Sequence, residues 1–455
     1  MRRLFFVVFV SLFLVAGVTG GEEEHDADKV KELEKKVEEL RTQLEALQHQ
    51  SNSAQLEEIR RQLGVLAEEV EKLRSGEEAQ VELLEEKRRS LGLGPSAATV
   101  YTRKQGVSIA GYGEMLYENF DEETDLGTPS GRANQVDFLR AIIYFGYRFN
   151  DRFLFNSEIE FEHASTGEGG EVSVEFAHLD YRIHDHLTLR GGMVLLPMGF
   201  VNEFHEPTAF LGARRPATES VIIPSTWREN GFGIVGRKGV FDYRAYLVNG
   251  FDATGFLSSG LREGRQDGAR AKLNSPAFVG RLDASPANGL LVGGSFYGGN
   301  SGVFNATVPT DLTVPTLIGE IHAEYKIRGL ELRSLFAQAS LDNVAELNEI
   351  IGATGNLSVG ERLRGGYIQA GYNLFSGRAN RKDSLSPYLR YESVNTQSKV
   401  PNGFAPNPAR DVTLWTIGME YKPILNIVIK ADYQAVDNEA DTGVDQFNIA
   451  LGYNF

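Results

Sequence analysis

The chain has 455 residues, no cysteine, and 46 Lys+Arg against 62 Asp+Glu, a formal charge of −16. Without cysteine it can form neither a disulfide framework nor a thiolate metal site, and its acidity is opposite to the basic face of a nucleic-acid binder. The length suits two or three ordinary domains or one large all-β barrel.

Residues 1–20, "MRRLFFVVFVSLFLVAGVTG", run from a basic start through an apolar core to small residues, the layout of a secretory signal peptide cleaved near Gly20. A membrane anchor has similar ingredients, but this apolar core is short for a span of about 20 residues. No later apolar run is long enough for a transmembrane helix, so membrane insertion would have to use strands. Over residues 28–90 apolar side chains recur at heptad steps, at Val30, Leu33, Val37, Leu40, Leu44 and Leu47, with Glu, Lys, Arg and Gln between them. The frame breaks at "QHQSNSA" (48–54) and resumes at Leu56, Ile59, Leu63, Leu66, Val70 and Leu73. The pattern predicts an α-helical coiled-coil stalk in the periplasm, or a helical hairpin folded at the break. It does not set the number of helices.

After "LGLGPS" the period changes. From about residue 105 to 455, segments of period two recur between turn signals. Short connectors, "FNDR", "HDH", "GRKG", "SPANG", "IRG" and "KPIL", alternate with long polar ones such as 120–135, 197–229 and 341–364. Short turns on one side and long loops on the other mark a transmembrane outer-membrane barrel. The segments fall near 107–119, 137–149, 152–163, 171–183, 187–196, 230–236, 240–249, 276–284, 290–299, 316–327, 330–340, 365–374, 385–395, 411–422, 426–435 and 445–455. The fold class is therefore all-β, a sixteen-stranded antiparallel barrel preceded by the helical stalk. Lipid tolerates no open sheet edge, so the last segment, "FNIALGYNF", should close on the first, "VSIAGYGEMLY", with Phe455 at the periplasmic interface.

Alternation assigns the faces. In "LRAIIYFGYRF" Leu139, Ala141, Ile143, Phe145, Tyr147 and Phe149 form a lipid row, which leaves Arg140, Tyr144 and Arg148 inside. The same parity sends Glu158, Glu160, Glu162, Glu320, His322, Glu324, Arg390, Glu392, Lys430 and Asp432 inward. A basic side chain on the lipid face costs roughly 2–4 kcal/mol at the midplane, and an apolar core would not house so many charges unpaired. A hydrated lumen follows, since sixteen strands leave a channel, and with it passive diffusion of small hydrophilic solutes.

Residues 187–250 contain Gly192 to Gly199 in a Gly-x-x-x-x-Pro-x-Gly-type turn, a long third loop, an Arg-x-x-Gly strand start at Arg228 to Gly231, and a strand ending in Asn-Gly. With "EIEFEH", "VEFAHLDYRI", "SPYLRYES" and the N-terminal coiled coil, this stretch resembles the phosphate-selective porin O/P family. The resemblance implies a homotrimer in the bacterial outer membrane, with the third loop folded inward and arginines guiding oxyanions. The corresponding positions are Arg214, Arg215 and Arg228 on or beside the loop, and Arg190, Arg140, Arg244, Arg333 and Arg390 on the wall. Guanidinium suits the task because its fork donates two bonds to one phosphate. Expected partners are outer-membrane lipid, further copies of the chain, the barrel-assembly machinery through the strand ending at Phe455, and the cell wall through the coil.

Residues 97–455 carry 32 basic against 42 acidic groups, a net −10. An acidic wall opposes anions unless arginines hold the constriction, so selectivity is open between anion preference and a general or mildly cation-tolerant pore. Each loop arginine has a second reading as a salt bridge to Glu219, Glu229 or the wall. A structural tether or plug is an alternative role for the whole chain. An outer-membrane enzyme is a further one, but no Gly-x-Ser-x-Gly, His-Glu-x-x-His or phosphate-binding loop is present. Neither catalytic residues nor a cofactor are expected. His178, His184 and His186 read as strand-end and turn residues rather than metal ligands, and His205 is the one histidine in the inward loop.

Overall fold

A computed structural model describes residues 89–164, 169–304, 311–378 and 381–455. The expected signal peptide, and the expected coiled-coil stalk up to residue 88, lie outside the described residues. Contacts group residues 87–455 as one unit.

Sixteen strands are present: β1 (Gly106–Phe120), β2 (Gln135–Arg148), β3 (Phe153–Glu162), β4 (Val172–His184), β5 (Leu187–Leu195), β6 (Arg228–Lys238), β7 (Phe241–Asn249) and β8 (Pro276–Ala287). The second half comprises β9 (Leu290–Gly302), β10 (Thr313–Ile327), β11 (Leu330–Leu341), β12 (Arg362–Tyr372), β13 (Ser384–Lys399), β14 (Asp411–Ile424), β15 (Ile427–Asn438) and β16 (Gln446–Asn454). Each pairs antiparallel with its sequence neighbours, and β1 pairs with β16 from Tyr112↔Asn454 to Phe120↔Gln446, so the sheet is a closed barrel. The expected strands are all there. Several run further at their long-loop ends, as β13 does to Lys399 and β9 to Gly302. The ladder there continues where both faces are polar, and alternation no longer marks it. One connector on the short side is long, 373–383 between β12 and β13.

The pleat sends alternate side chains to opposite faces. In β16 Phe447, Ile449, Leu451 and Tyr453 are exposed on the outer face, while Gln446, Asn448, Ala450 and Asn454 are buried inside. Aromatic pairs cluster by the short turns, Tyr147 on Phe149 at 4.9 Å and Phe153 on Tyr181 at 4.7 Å, where amphipathic rings favour the membrane–water boundary.

The interior departs from the hydrated lumen that alternation predicts. Lys430 and Arg390 are each only 1% exposed, and Glu158 and Glu392 are fully buried. A charge survives such enclosure when it is paired or hydrogen-bonded: Arg390 pairs with Glu392, Glu158 with His205, and Lys430 donates to two backbone carbonyls. Over β6–β12 an apolar part of the inner wall, Val235, Tyr246, Val248, Val279, Tyr297, Ile318, Leu335 and Leu363, joins Leu196, Met198, Ile222, Ile223 and Trp227 of the 196–227 loop in one buried cluster. Trp227 stacks on Phe251 at 4.5 Å and meets Tyr297 at 4.8 Å.

The segment before β1 is inside too. Arg89 and Leu91 present carbonyls to Arg244 (2.7 Å) and Arg190 (2.9 Å), and Asn156 donates to the Ala97 carbonyl at 2.8 Å. Tyr101 donates to Asp180 at 2.7 Å, and Arg148 donates to the carbonyls of Tyr101 and Arg103. These wall partners belong to β2–β5 and β7 near the short turns, so residues 89–104 line that end of the bore.

Candidate functional site

The loop from 196 to 227 is held at its neck by Asn202. Its side chain donates to the carbonyls of Leu196 (2.7 Å) and Trp227 (3.0 Å) and accepts from the Trp227 amide at 2.6 Å. Gly199 follows with φ +67°, a left-handed backbone where a Cβ would strike the Glu219 carboxylate. Glu219 accepts from the Val201 amide (2.7 Å) and the Tyr367 hydroxyl (2.6 Å), tying the loop's start to its return and to β12. Burial pushes the Glu219 carboxyl up from its ordinary range.

From the neck the loop crosses the bore. Phe200 lies edge-on to His322 and under the Arg333 guanidinium, each at 4.7 Å. Glu203 faces Arg244 at 3.3 Å and Arg281 at 3.8 Å. Glu206 accepts from the Ser96 and Ala97 amides and from Asn454, joining loop, N-terminal segment and β16. At the far wall Lys430 donates to the carbonyls of Phe210 (2.7 Å) and Gly212 (2.9 Å), and Asp432 accepts from the Ala213 amide. The inward third loop is thus a bridge bonded at both ends.

The arginines singled out by sequence divide. Arg190 grips Asp180 with two bonds at 2.8 and 3.0 Å, and Arg333 holds Glu324 with bonds of 2.6 and 3.0 Å. Arg390 donates to Glu392 at 2.7 Å, and Arg244 to Asp283 at 2.6 Å. Arg140 sits 3.4 Å from both Glu114 and Glu160, while Arg228 lies 3.4 Å from Glu175 and 4.0 Å from Asp267. Arg214 donates to Glu118 of β1 and keeps its side chain 45% exposed. Neither Arg214 nor Arg228 pairs with Glu219 or Glu229; the carboxylates they meet belong to β1, β4 and the 250–275 loop. Arg215 is different. It is half-buried, and its Nη2 is enclosed without a hydrogen-bond partner.

Of the lumen acids, Glu158, Glu160, Glu320 and Glu324 are buried and Glu162 is half-buried at the end of β3. Glu320 accepts from Ser295 at 2.6 Å and meets His322 at 2.8 Å. Hence most of the acidic wall is neutralised locally.

No family model matches the chain. An uncharacterized protein of Aquifex aeolicus (strain VF5) is 37% identical over 380 residues, 80% of this chain and 83% of that protein. The chain belongs to that protein's family. Among solved structures, the outer membrane channel DcaP of Acinetobacter baumannii superposes with a TM-score of 0.51 at 11% identity, over 80% of this chain and all of that one. OmpF of Salmonella typhi, in a complex with daunomycin, gives 0.50 at 12% identity over 77% of this chain and 98% of its own. These likenesses establish a porin-like fold for this family member.

Sequence reading missed two basic residues that belong beside Arg215. Arg262 and Arg265 come from the 250–275 loop, which folds onto the third loop: both donate to the Ser225 carbonyl, at 2.6 and 2.9 Å, and Arg265 also reaches that of Thr226. Burial, then the charges of Arg265 and Arg215, push the Arg262 guanidinium down to about 10. Enclosure, then Arg140, lowers Arg215 as well. Burial is the larger cause of both shifts, and the neighbouring guanidinium groups add to it. The only sequence signal was "LREGR", a pattern too common in exposed loops to single out.

Proposed function

We propose that the chain is an outer-membrane porin through which small hydrophilic solutes diffuse passively, and that oxyanions are favoured at the crowded arginines of the third and fourth loops. The observation that carries the preference is Arg215: an enclosed guanidinium nitrogen with no acceptor, close to Arg140 and Arg262. A cluster of like charge with an unused donor gains most from an anion, because the ligand both neutralises repulsion and completes the hydrogen bonding. Arg214 extends the site towards the exposed side of the loop. Arg190, Arg244, Arg333 and Arg390 are assigned a different role, fastening the wall, loop and N-terminal segment through their carboxylates. This division supports the resemblance to phosphate-selective porins at the loop and replaces its wall arginines with a loop-borne pair.

Signal peptide, periplasmic stalk and homotrimer complete the proposal. The trimer rests on the same resemblance, and sedimentation in detergent tests it.

Planar bilayers test the channel. Stepwise conductance is expected, small because loop and N-terminal segment occupy the bore, with a reversal potential towards anions that phosphate reduces by competing for the site. Replacing Arg215 and Arg262 together with alanine should abolish that phosphate effect; an unchanged reversal potential in the variant removes the assignment. The filled bore also favours a second reading, a plug or tether, and a silent bilayer at all voltages would establish it instead.

A further inference from the structure

Where the third loop passes β3 and β4, His205 lies between two carboxylates. Its Nε2 is 3.1 Å from Glu158 Oε1 and 3.2 Å from Glu175 Oε2, and the three ligand atoms lie within 4.8 Å of one another. Both glutamates are 0% exposed and His205 only 2%. The other ring nitrogen, Nδ1, is 2.9 Å from the Asn202 carbonyl, which only accepts, so Nδ1 carries a proton. A neutral ring then aims the Nε2 lone pair at two anionic oxygens, and something positive must stand between them.

A second ring proton is one answer, but it is incomplete. One N–H serves one acceptor, here Glu158 Oε1 in hydrogen-bond geometry. Glu175 Oε2, facing the same nitrogen, is left without a hydrogen bond, and so is Glu158 Oε2. Two buried, unsatisfied carboxylate oxygens at one point are costly. A divalent ion satisfies all three groups. Ligands bound at about 2.0–2.2 Å in tetrahedral zinc geometry stand roughly 3.3 Å apart, close to the 3.1 and 3.2 Å from Nε2 to the two carboxylates. The imidazole is already oriented by a backbone carbonyl, the usual outer support of a metal-bound histidine. Two carboxylates balance a divalent charge, while Arg140 is engaged with Glu114 and Glu160, and Arg228 lies between Asp267 and the other Glu175 oxygen, Oε1, at 4.0 and 3.4 Å.

We propose that Glu158, Glu175 and His205 bind one divalent transition-metal ion of the zinc type, pinning the middle of the third loop to the barrel wall. The three ligands come from β3, β4 and the loop, so their spacing in sequence carries no metal-site signal.

The full chain in detergent, stripped with a chelator and dialysed, should take up one Zn²⁺ per chain by elemental analysis. Co²⁺ in its place should give the visible absorption of a low-coordinate site. His205→Ala should lose the stoichiometric ion and the cobalt spectrum. Glu175→Gln, which keeps shape and hydrogen bonding, should weaken zinc binding at least tenfold while the barrel still shows the heat-dependent gel shift of a folded porin. Wild-type chain that holds no stoichiometric Zn²⁺ at 100 µM (roughly the weakest affinity a three-ligand site would show) overturns the proposal. Binding that survives unchanged in a folded Glu175→Gln chain does so as well, since the ion would then sit elsewhere.

Discussion

The two halves of the barrel wall obey the same alternation and build opposite interiors. Over β6–β12 one set of inward residues is apolar and packs with Trp227 and the loop neck into a core, beside buried ion pairs such as Arg244–Asp283 and Arg333–Glu324. Over β14–β16 and β1 they are polar, Glu118, Thr416, Lys430, Asp432, Gln434 and Asn448 among them, and they hold the loop by hydrogen bonds and ion pairs. Period two therefore separates outside from inside but does not say whether the inside is wet. That is decided by what a loop brings to it.

The sharpest way to break the contrast is in the apolar half. Trp227→Ala removes a fully buried ring that packs on Phe251 and Tyr297. Emptying such a site costs about 3–5 kcal/mol. The temperature at which the barrel loses its folded gel mobility should fall well below that of the wild type, and single-channel currents should become noisy as the neck loosens. A quiet channel with an unchanged transition would mean that the loop is not held by this core.

The polar half should respond less. Asp432→Ala strips acceptors from the Ala213 amide, the Tyr388 hydroxyl and Asn448, bonded at 2.6, 2.7 and 2.8 Å. Unsatisfied buried donors cost about 1–3 kcal/mol each, but a water taking the carboxylate's place would recover part of this. The gel-shift transition should move by less than in Trp227→Ala. A larger drop would reverse the ranking of the two halves.

How much of this could be read beforehand follows the range of the forces. The strands were legible because each residue's environment, lipid or interior, is imposed one residue at a time; β6, with its small glycines, was the least marked and still pairs on both sides. Parity turned Arg140 and Arg390 inward, where they are buried, whereas Arg190, Arg244 and Arg333 entered as wall positions through the resemblance. What most of them meet was not legible, because Asp180, Asp283 and Glu324 become partners of Arg190, Arg244 and Arg333 only through register across strands. The N-terminal segment was invisible for a further reason: "LGLGPSAATVY" has no period, and apart from the Tyr101 hydroxyl its bonds to the wall and loop run through backbone groups that any residue would supply.

That segment offers a milder test. Of its anchors, Asn156 donates one hydrogen bond, worth about 1 kcal/mol, and the Tyr101 hydroxyl donates to the Asp180 carboxylate and accepts from Arg190, charged contacts worth about 1.5–3 kcal/mol. The double variant Asn156→Ala with Tyr101→Phe should leave the barrel folded but free residues 89–104, so trypsin should cut faster at Arg103 and Lys104, and mean conductance should rise. Equal cleavage rates would show that the remaining bonds, from Arg244, Arg190 and Arg148 and to Glu206, suffice to hold it.

The smallest effect on stability should come from Arg215→Ala. Unlike Arg390, whose loss would strand a buried Glu392, Arg215 leaves no carboxylate behind, and its charge is opposed by Arg140 and Arg262. Removing one member of a like-charge cluster relieves repulsion while it forfeits some packing, so the gel-shift transition should stay within about 0.5 kcal/mol of the wild type. The reversal potential should nevertheless shift towards cations, and added phosphate should matter less. A strongly destabilised Arg215→Ala would instead assign this arginine to the scaffold with the others, because only a group that fastens structure is missed by the fold when it is gone.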